Sequence, residues 1–225
     1  MKKLIIFVIA VVMTVGGVSA QNIFFSVKEG TKLLYANLNA KGNADSYSRL
    51  TIQKVEGSGN NLTISYVAQA LDKNRRPNSD APMEVPLKVT ITNGVVEWDM
   101  KMFAAPGTEG FVEIEGGKIR IPSTLSPGDK LDDVLYTMTL NMGFKIRTEV
   151  ALTEQSCLAI EDVTVPAGTF KCHKITQTSK ATVMRKVVTT KTLSWYAPGI
   201  GTVKSESYDD KGKIQSSTVL QAIEK

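Results

Sequence analysis

The sequence predicts an all-β fold: a single antiparallel domain of about a dozen strands, curled into a barrel or half-open roll. Runs of β-branched and aromatic residues are separated by turn dipeptides such as Asn-Gly, Lys-Gly and Pro-Gly. After residue 20, no stretch repeats apolar residues at helical spacing for long enough to predict a helix. An open sheet of this size would leave two exposed edges, so we expect it to close on itself.

The individual strands are predicted from the turn signals that bound them. The two longest connections, 72–83 and 122–133, lack the composition of an interdomain linker, so residues 21–225 are expected to form one domain. Strands are expected near residues 31–40, 46–56, 61–71, 84–92, 95–103, 110–115, 118–121, 134–143, 144–154, 158–165, 170–179, 182–196, 201–208 and 214–223.

Residues 1–20 have the anatomy of a secretory signal peptide. Lys2 and Lys3 give a positive start, residues 4–12 are apolar, and residues 18–20 (Val-Ser-Ala) form a small-residue cleavage site. The apolar run is too short for a permanent membrane span, and Gln21 rather than cysteine follows the cut, which argues against a lipoprotein anchor. We therefore expect export without a permanent membrane anchor, to the periplasm first, with the cell surface or secretion as alternatives.

The composition argues against several classes of protein. The net charge of +5 comes from 27 basic and 22 acidic residues, and the basic residues are scattered, whereas a nucleic-acid interface needs a cluster. A set of one histidine and two cysteines does not form a recognisable zinc site. The glycine-containing segments at 57–59 and 116–117 are too short to form a phosphate-binding loop. We expect no nucleic-acid partner, no metal and no cofactor.

The Asn-Gly pair at 93–94 allows one hairpin to be paired from sequence alone. Both central residues of a type I′ turn need positive φ, which Asn and Gly tolerate. Pairing Thr92 with Val95 makes one face apolar and the other polar, and the pattern is expected to continue as far as Val85 opposite Met102.

Two further hairpins are predicted in the second half of the chain. Residues 209–213 fit a type I turn closed by a glycine bulge, with Tyr208 opposite Ile214. The segment Val-Pro-Ala-Gly-Thr-Phe at 165–170 predicts another, with Val165 opposite Phe170.

The register of the 165–170 hairpin bears on the two cysteines. It places Cys157 six residues along the strand from Cys172, about 20 Å away, whereas a disulfide needs Cα atoms within about 7 Å. A bulge after Cys157 would shorten that distance. A disulfide in an exported protein and two buried free thiols therefore both remain open.

No catalytic residue is expected from the sequence. The one histidine, His173, is predicted to lie mid-strand beside Asp162, and no G-x-S-x-G motif presents a serine to it. We interpret His173 as a surface histidine paired with a carboxylate.

The candidate ligand-binding residues are two stripes of aromatic and methionine side chains at alternate strand positions. Methionine adapts to irregular partners, so such stripes suit the wall of a cavity for a lipidic ligand. They also suit the packed core of any closed sheet, and both interpretations remain open. The candidates are Trp98, Met100 and Met102 in one stripe, and Tyr136, Met138, Met142 and Phe144 in the other.

Three segments resemble an exported bacterial family known as domain of unknown function 3108. They are residues 161–172 (EDVTVPAGTFKC), 195–204 (WYAPGIGTVK) and 28–35 (KEGTKLLY). The resemblance implies a periplasmic, mostly antiparallel β-domain without an assigned reaction, and it brings no catalytic residues with it.

Three functions remain in view. The first is a non-enzymatic binder of a hydrophobic or lipidic small molecule, or of an envelope protein. The second is a structural or interaction module with a dry core. The third is a hydrolase that attacks an envelope polymer with paired carboxylates.

Overall fold

The structure is a computed structural model that describes residues 22–78, 84–103, 111–141 and 143–225, apart from the side chains of residues 102 and 103. Within these ranges no helix is long and apolar enough to cross a membrane. A 3₁₀ helix covers Met100–Phe103. The strands are β1 (Lys32–Asn39), β2 (Ala44–Ser58), β3 (Asn61–Leu71), β4 (Val85–Thr92), β5 (Val95–Asp99), β6 (Val112–Gly116), β7 (Lys118–Pro122), β8 (Val134–Asn141), β9 (Lys145–Val165), β10 (Gly168–Val183), β11 (Lys186–Ala197), β12 (Gly201–Tyr208) and β13 (Ile214–Glu224).

All the strands belong to one antiparallel sheet in the order β6-β8-β9-β10-β11-β12-β13-β1-β2-β3-β4-β5-β7. The two edge strands, β6 and β7, follow one another in the chain, so the sheet curls into a nearly closed barrel. Gly117 joins them where the chain passes close to β8: a Cβ there would lie 2.3 Å from Cγ1 of Val134. The predicted all-β, barrel-like fold is confirmed.

The Asn-Gly hairpin has the predicted register at its turn. Thr92 pairs with Val95, and the next two pairs of the ladder also match the prediction. The expected continuation to Met102 is wrong, because β5 ends at Asp99 and a 3₁₀ helix follows. The Asp99 side chain accepts a hydrogen bond from the Lys101 N–H at 3.0 Å, and this local turn competes with the strand.

The β9–β10 hairpin differs from the prediction by two residues. Val165 pairs with Gly168, so residues 166 and 167 alone make the turn, and Phe170 lies opposite Val163. Gly168 adopts a φ of 136°, which allows the ladder to begin immediately after the turn. Because the shift is an even number of residues, each side chain keeps its predicted face of the sheet.

Strand β9 is longer than predicted. The two strands expected at 144–154 and 158–165 form one strand of 21 residues. Its pairing with β10 shifts register twice, and Glu154, in the irregular stretch, has a φ of 54°. A bulge of this kind bends a strand and increases its twist, which suits the wall of a barrel.

The two cysteines are buried and free. Cys157 lies opposite Ile175, three residues along β10 from Cys172, or about 10 Å. That separation exceeds the Cα distance of about 7 Å that a disulfide tolerates. The irregularity after Cys157 shortens the predicted separation without closing it, so the candidate disulfide is not formed in the structure.

We call the two ends of the barrel the lower end and the upper end. The lower end carries the N-terminal segment (residues 22–31) and the turns at 93–94 and 166–167. The upper end carries the β8–β9 turn, the β10–β11 turn and the loop at 209–213. In that loop Tyr208 pairs with Ile214 as predicted.

The main core lies toward the lower end, and the N-terminal segment is part of it. Ile23 and Phe24 are almost completely buried, and the Gly199 N–H donates a 2.7 Å hydrogen bond to the Ile23 carbonyl. The main core comprises Ile23, Phe24, Phe25, Ile52, Leu62, Ile64, Tyr66, Val89, Ile91, Val96, Ile121, Leu125, Cys157 and Ile175. Two smaller clusters surround Trp195 and the pair Val150 and Leu152.

Candidate functional site

A cavity of about 340 Å³ lies inside the barrel, next to the main core. Its lining has an apolar and a polar part. The apolar part includes Phe24, Phe25, Leu50, Tyr66, Trp98 and Ile175. The polar part includes Tyr35, Gln155, Gln177, Thr192, Ser194 and Tyr196.

Strand alternation directs the polar side chains into the cavity. On β11, Thr192, Ser194 and Tyr196 are two residues apart, so they share one face of the sheet. On β10, Gln177 lies opposite Thr192 and Ile175 opposite Ser194, so they share that face. The same alternation turns Trp195 to the opposite face, where the ammonium groups of Lys174 and Lys204 lie 5.0 and 4.9 Å from its ring centroid.

Aromatic rings form a wall of the cavity that includes the N-terminal segment. The Phe25 ring centroid lies 5.2 Å from that of Tyr66 and 6.3 Å from that of Trp98. The Phe24 ring is 6.3 Å from that of Tyr196 in an edge-on arrangement. Aromatic pairs at these distances interact favourably beyond simple burial. The apolar wall is therefore held in place by contacts between its own members.

The cavity is electrically neutral. Among the described residues that line it, none is an acid, a lysine, an arginine or a histidine. Burial raises the pKa values of Tyr35, Tyr66 and Tyr196 above the ordinary tyrosine value, so all three remain protonated. The Tyr35 hydroxyl donates to the Thr202 carbonyl at 3.0 Å. A ligand in this space would meet hydroxyl and amide groups, without a counter-ion.

His173 lies beside the cavity and is not paired with a carboxylate. It lies opposite Ile160 on β9, because the register shift moves Asp162 opposite Lys171, so the predicted His173–Asp162 pair is wrong. The His173 ring packs edge-on against Phe24 at 4.7 Å. Burial lowers the pKa of His173, with a smaller opposing effect from a hydrogen bond to the Leu125 backbone. The imidazole is therefore neutral at pH 7.

The first predicted stripe contributes one residue to the cavity. Trp98 lines it, while Met100 is buried in the 3₁₀ helix that replaces the expected strand. The side chain of Met102 lies outside the described residues. The stripe is interrupted because alternation between faces ends where β5 ends.

The second predicted stripe does not face the cavity as a unit. Tyr136 packs with Val134, Val150 and Leu152, and Met138 is half-buried on β8. Phe144 lies in the turn after β8 and is 61% exposed, so it does not line an interior wall. Residue 142 (Met142 of the prediction) lies outside the described residues.

Sequence reasoning missed most of the residues that line the cavity. Phe24 and Phe25 follow the signal sequence so closely that they were not assigned to any element, although two adjacent phenylalanines are a strong signal of burial. The polar residues of β10 and β11 alternate regularly, but hydroxyl and amide side chains at such positions resemble a solvent-facing strand. Nothing in the local pattern marks them as interior.

Metal binding and carboxylate chemistry find no support in the described residues. No group of three or more histidine, cysteine or acidic side chains there is arranged to hold a metal ion. Among the described residues no carboxylate lines the cavity, so the paired acids that a hydrolase of the third hypothesis needs are not found there.

The fold and the cavity define a class: an antiparallel β-barrel domain with an uncharged, partly apolar interior of ligand size. Within that class the chain belongs to the DUF3108-like family, whose model matches residues 28–220. No protein of curated function matches its sequence.

Two solved structures share this fold. One is a protein from Bacteroides fragilis NCTC 9343, described as exported and as having a YmcC-like fold; it has a TM-score of 0.72 and 22% identity, over 90% of this chain and 99% of that one. The other, from Parabacteroides distasonis ATCC 8503, is described as a lipoprotein; it has a TM-score of 0.73 and 23% identity, over 90% of this chain and 98% of that one. Neither description, nor the family, indicates an enzyme.

Proposed function

We propose that this protein is exported and that its cavity binds an uncharged, largely apolar small molecule without catalysing a reaction on it. The observation that carries this proposal is the neutral interior cavity of about 340 Å³. Its volume falls in the range of about 300–1,000 Å³ that is typical of small-molecule sites.

The lining limits the chemistry of the ligand. Aromatic and aliphatic side chains suit an alkyl or acyl chain, whose burial is favourable by roughly 0.8 kcal/mol per CH₂ group. Gln155, Gln177 and Thr192 offer hydrogen bonds to a hydroxyl, ester or amide at one end. A charged headgroup would lose its hydration without gaining a counter-ion, which costs several kcal/mol or more. A medium-chain fatty alcohol or ester is the simplest ligand that fits.

Export rests on different observations. Residues 1–20 have the composition of a signal peptide. The two similar structures are described as an exported protein and a lipoprotein. We propose the periplasm as the compartment in which an apolar ligand is bound.

The two tryptophans of the chain make the ligand proposal testable by fluorescence. Trp195→Phe leaves Trp98, in the cavity wall, as the sole reporter. Titration with bromoundecanol, whose bromine quenches indole by contact, should quench this variant saturably. Trp98→Phe leaves Trp195, on the opposite face of β11, and its emission should remain unquenched.

A filled cavity provides the decisive comparison. Thr192→Phe places a ring in the cavity and should abolish the quenching of Trp98, whereas Thr90→Phe, on an exposed position of β4, should leave it unchanged. If Trp98 is not quenched, or is quenched equally in the Thr192→Phe variant, the ligand proposal is overturned and an interaction module is favoured.

A further inference from the structure

Large apolar side chains are exposed at the upper end of the barrel, on two neighbouring hairpins. Phe144 in the β8–β9 turn is 61% exposed, and Met184 in the β10–β11 turn is 75% exposed. Val187 and Val188, at the start of β11, are 57% and 51% exposed. Phe111, just before β6, is 63% exposed. We call these five residues the apolar tips.

The sheet brings the apolar tips together. Strands β8, β9, β10 and β11 are consecutive neighbours, and Val183 pairs with Thr148, so the two hairpin turns lie side by side. The Asn141 N–H donates to the Phe111 carbonyl at 2.8 Å, which places Phe111 beside the end of β8. Contiguous exposed apolar side chains of this kind are typical of contact with a partner or a membrane.

Basic residues stand immediately behind the apolar tips. Lys145 and Arg147 follow Phe144, and Arg185 and Lys186 follow Met184; all four are exposed. Two exposed acids are nearby: Glu149 lies 3.6 Å from the Arg147 guanidinium, and Glu113 on β6 lies opposite Thr139, which pairs with Arg147. The local balance is therefore positive. Exposed apolar side chains next to a group of cations are typical of proteins that bind anionic bilayer interfaces.

The β10–β11 turn is also unusual for its residues. Met184 and Arg185 have φ values of 47° and 69°, in the region that asparagine and glycine favour. The two-residue β4–β5 turn of the same chain uses Asn93 and Gly94 for the same purpose, with φ values of 51° and 78°. Strained backbone is typical of functional positions. An apolar and a cationic side chain at this turn thus point to a role other than turn formation.

We propose that the upper end docks on an anionic lipid bilayer, with the apolar tips in the headgroup region and the four basic residues against lipid phosphates. The surface lies on the β8–β9 and β10–β11 turns and includes none of the cavity-lining residues, so the proposal is independent of the ligand. The docked orientation leaves the N-terminal segment at the far end of the barrel.

Co-sedimentation of the exported protein with vesicles tests this. Vesicles of phosphatidylcholine and phosphatidylglycerol at about 3:1 should sediment the protein, whereas pure phosphatidylcholine should bind it at least about tenfold more weakly. Raising the salt from about 0.1 to 0.5 M should release it, because the Debye length shrinks. Equal binding to both vesicle types, or binding to neither, would overturn the proposal.

Variants separate docking from folding. Lys145→Glu with Lys186→Glu should weaken binding to the anionic vesicles by about 30-fold or more, at about fivefold for each cation lost. Lys28→Glu with Lys171→Glu makes the same charge change on exposed residues of the lower end and should have little effect.

Apolar changes give a second, independent comparison. Met184→Asn should weaken vesicle binding while keeping all four basic residues, and it should raise the melting temperature, because asparagine tolerates the φ of 47° at this position. Leu135→Ser, which removes a 68% exposed apolar side chain near the start of β8, away from the upper end, should leave binding unchanged. If the turn variant binds as well as the unaltered protein, the apolar tips do not enter the bilayer and the proposal fails.

Discussion

At the lower end of the barrel Phe24 is completely buried against His173 and Tyr196, while at the upper end Phe144 projects into solvent. The lower end is closed by chain that precedes the first strand, and its apolar residues belong to the main core. In the described part of the upper end, the β8–β9 and β10–β11 turns carry apolar and basic side chains that are exposed to solvent. We therefore expect substitutions of the buried lower-end residues to cost more stability than substitutions in these exposed turns.

The largest expected difference between the ends comes from removing one phenyl ring at each. Phe24→Ala should lower the free energy of unfolding by about 3–5 kcal/mol, because it removes a fully buried ring and leaves a cavity. Phe144→Ala should change it by less than about 0.5 kcal/mol. Urea denaturation followed by circular dichroism measures both. Similar losses of unfolding free energy at the two positions would contradict the difference in stability between the two ends.

Exchanging the two turns should move stability in opposite directions. Asn93→Met with Gly94→Arg should destabilise the protein by about 2 kcal/mol or more, because both residues would be held at positive φ. A Cβ at Gly94 would also lie 2.6 Å from the Ser123 Oγ. Met184→Asn with Arg185→Gly should stabilise it by about 1 kcal/mol. Thermal melts of the two double variants measure these changes. A loss of stability in both variants would show that the upper turn is not strained.

The lower end should also confer a pH dependence. Burial lowers the pKa of His173 in the folded state, so the unfolded chain takes up its proton first as the pH falls. The stability from the neutral imidazole is complete above about pH 6.5 and is lost as the pH falls through the lower folded value.

The chain has one histidine, so His173→Gln should flatten this part of the curve of unfolding free energy against pH. The effect should be smaller than those of the core and turn variants. An unchanged slope between about pH 7 and 5 in the variant would assign the dependence to other groups.

The smallest expected effect is an absence of reaction. Cys157 and Cys172 are buried, and burial raises the pKa of Cys172 to about 11, so neither thiol should react with a disulfide reagent in the native protein. Both should react in urea, with the mass of two free thiols. A cysteine at the upper end, Met184→Cys, should react at once. If the mass of the native protein were lower by two hydrogens than that of the protein with two free thiols, the Cys157–Cys172 disulfide would be formed after all.

The predictions agree with the structure where residues close together in the sequence determine a feature, and they fail where residues far apart in the sequence determine it. The 93–94 hairpin was paired correctly at its turn because Asn-Gly defines both the turn type and the first pairs. The β9–β10 register was two residues off because Pro-Ala-Gly-Thr permits either a two-residue or a four-residue turn with the same faces. Of the predicted ligand-binding residues whose side chains the structure describes, Trp98 lines the cavity.

Strand positions, turn sites and the alternation of faces depend on neighbours in the chain, so they can be derived from the residues in order. Whether a given face of a strand points into the barrel or toward solvent depends on how the sheet closes and on what packs against that face. Phe24 became part of the main core because the barrel closed around the N-terminal segment, and β11 turned Thr192 and Ser194 inward although they look like surface residues. Phe144 remained exposed because β8 ends at Asn141, before the chain reaches Phe144, so this side chain is not part of the barrel wall. Those outcomes were decided by long-range packing, which a periodic pattern along the chain does not contain.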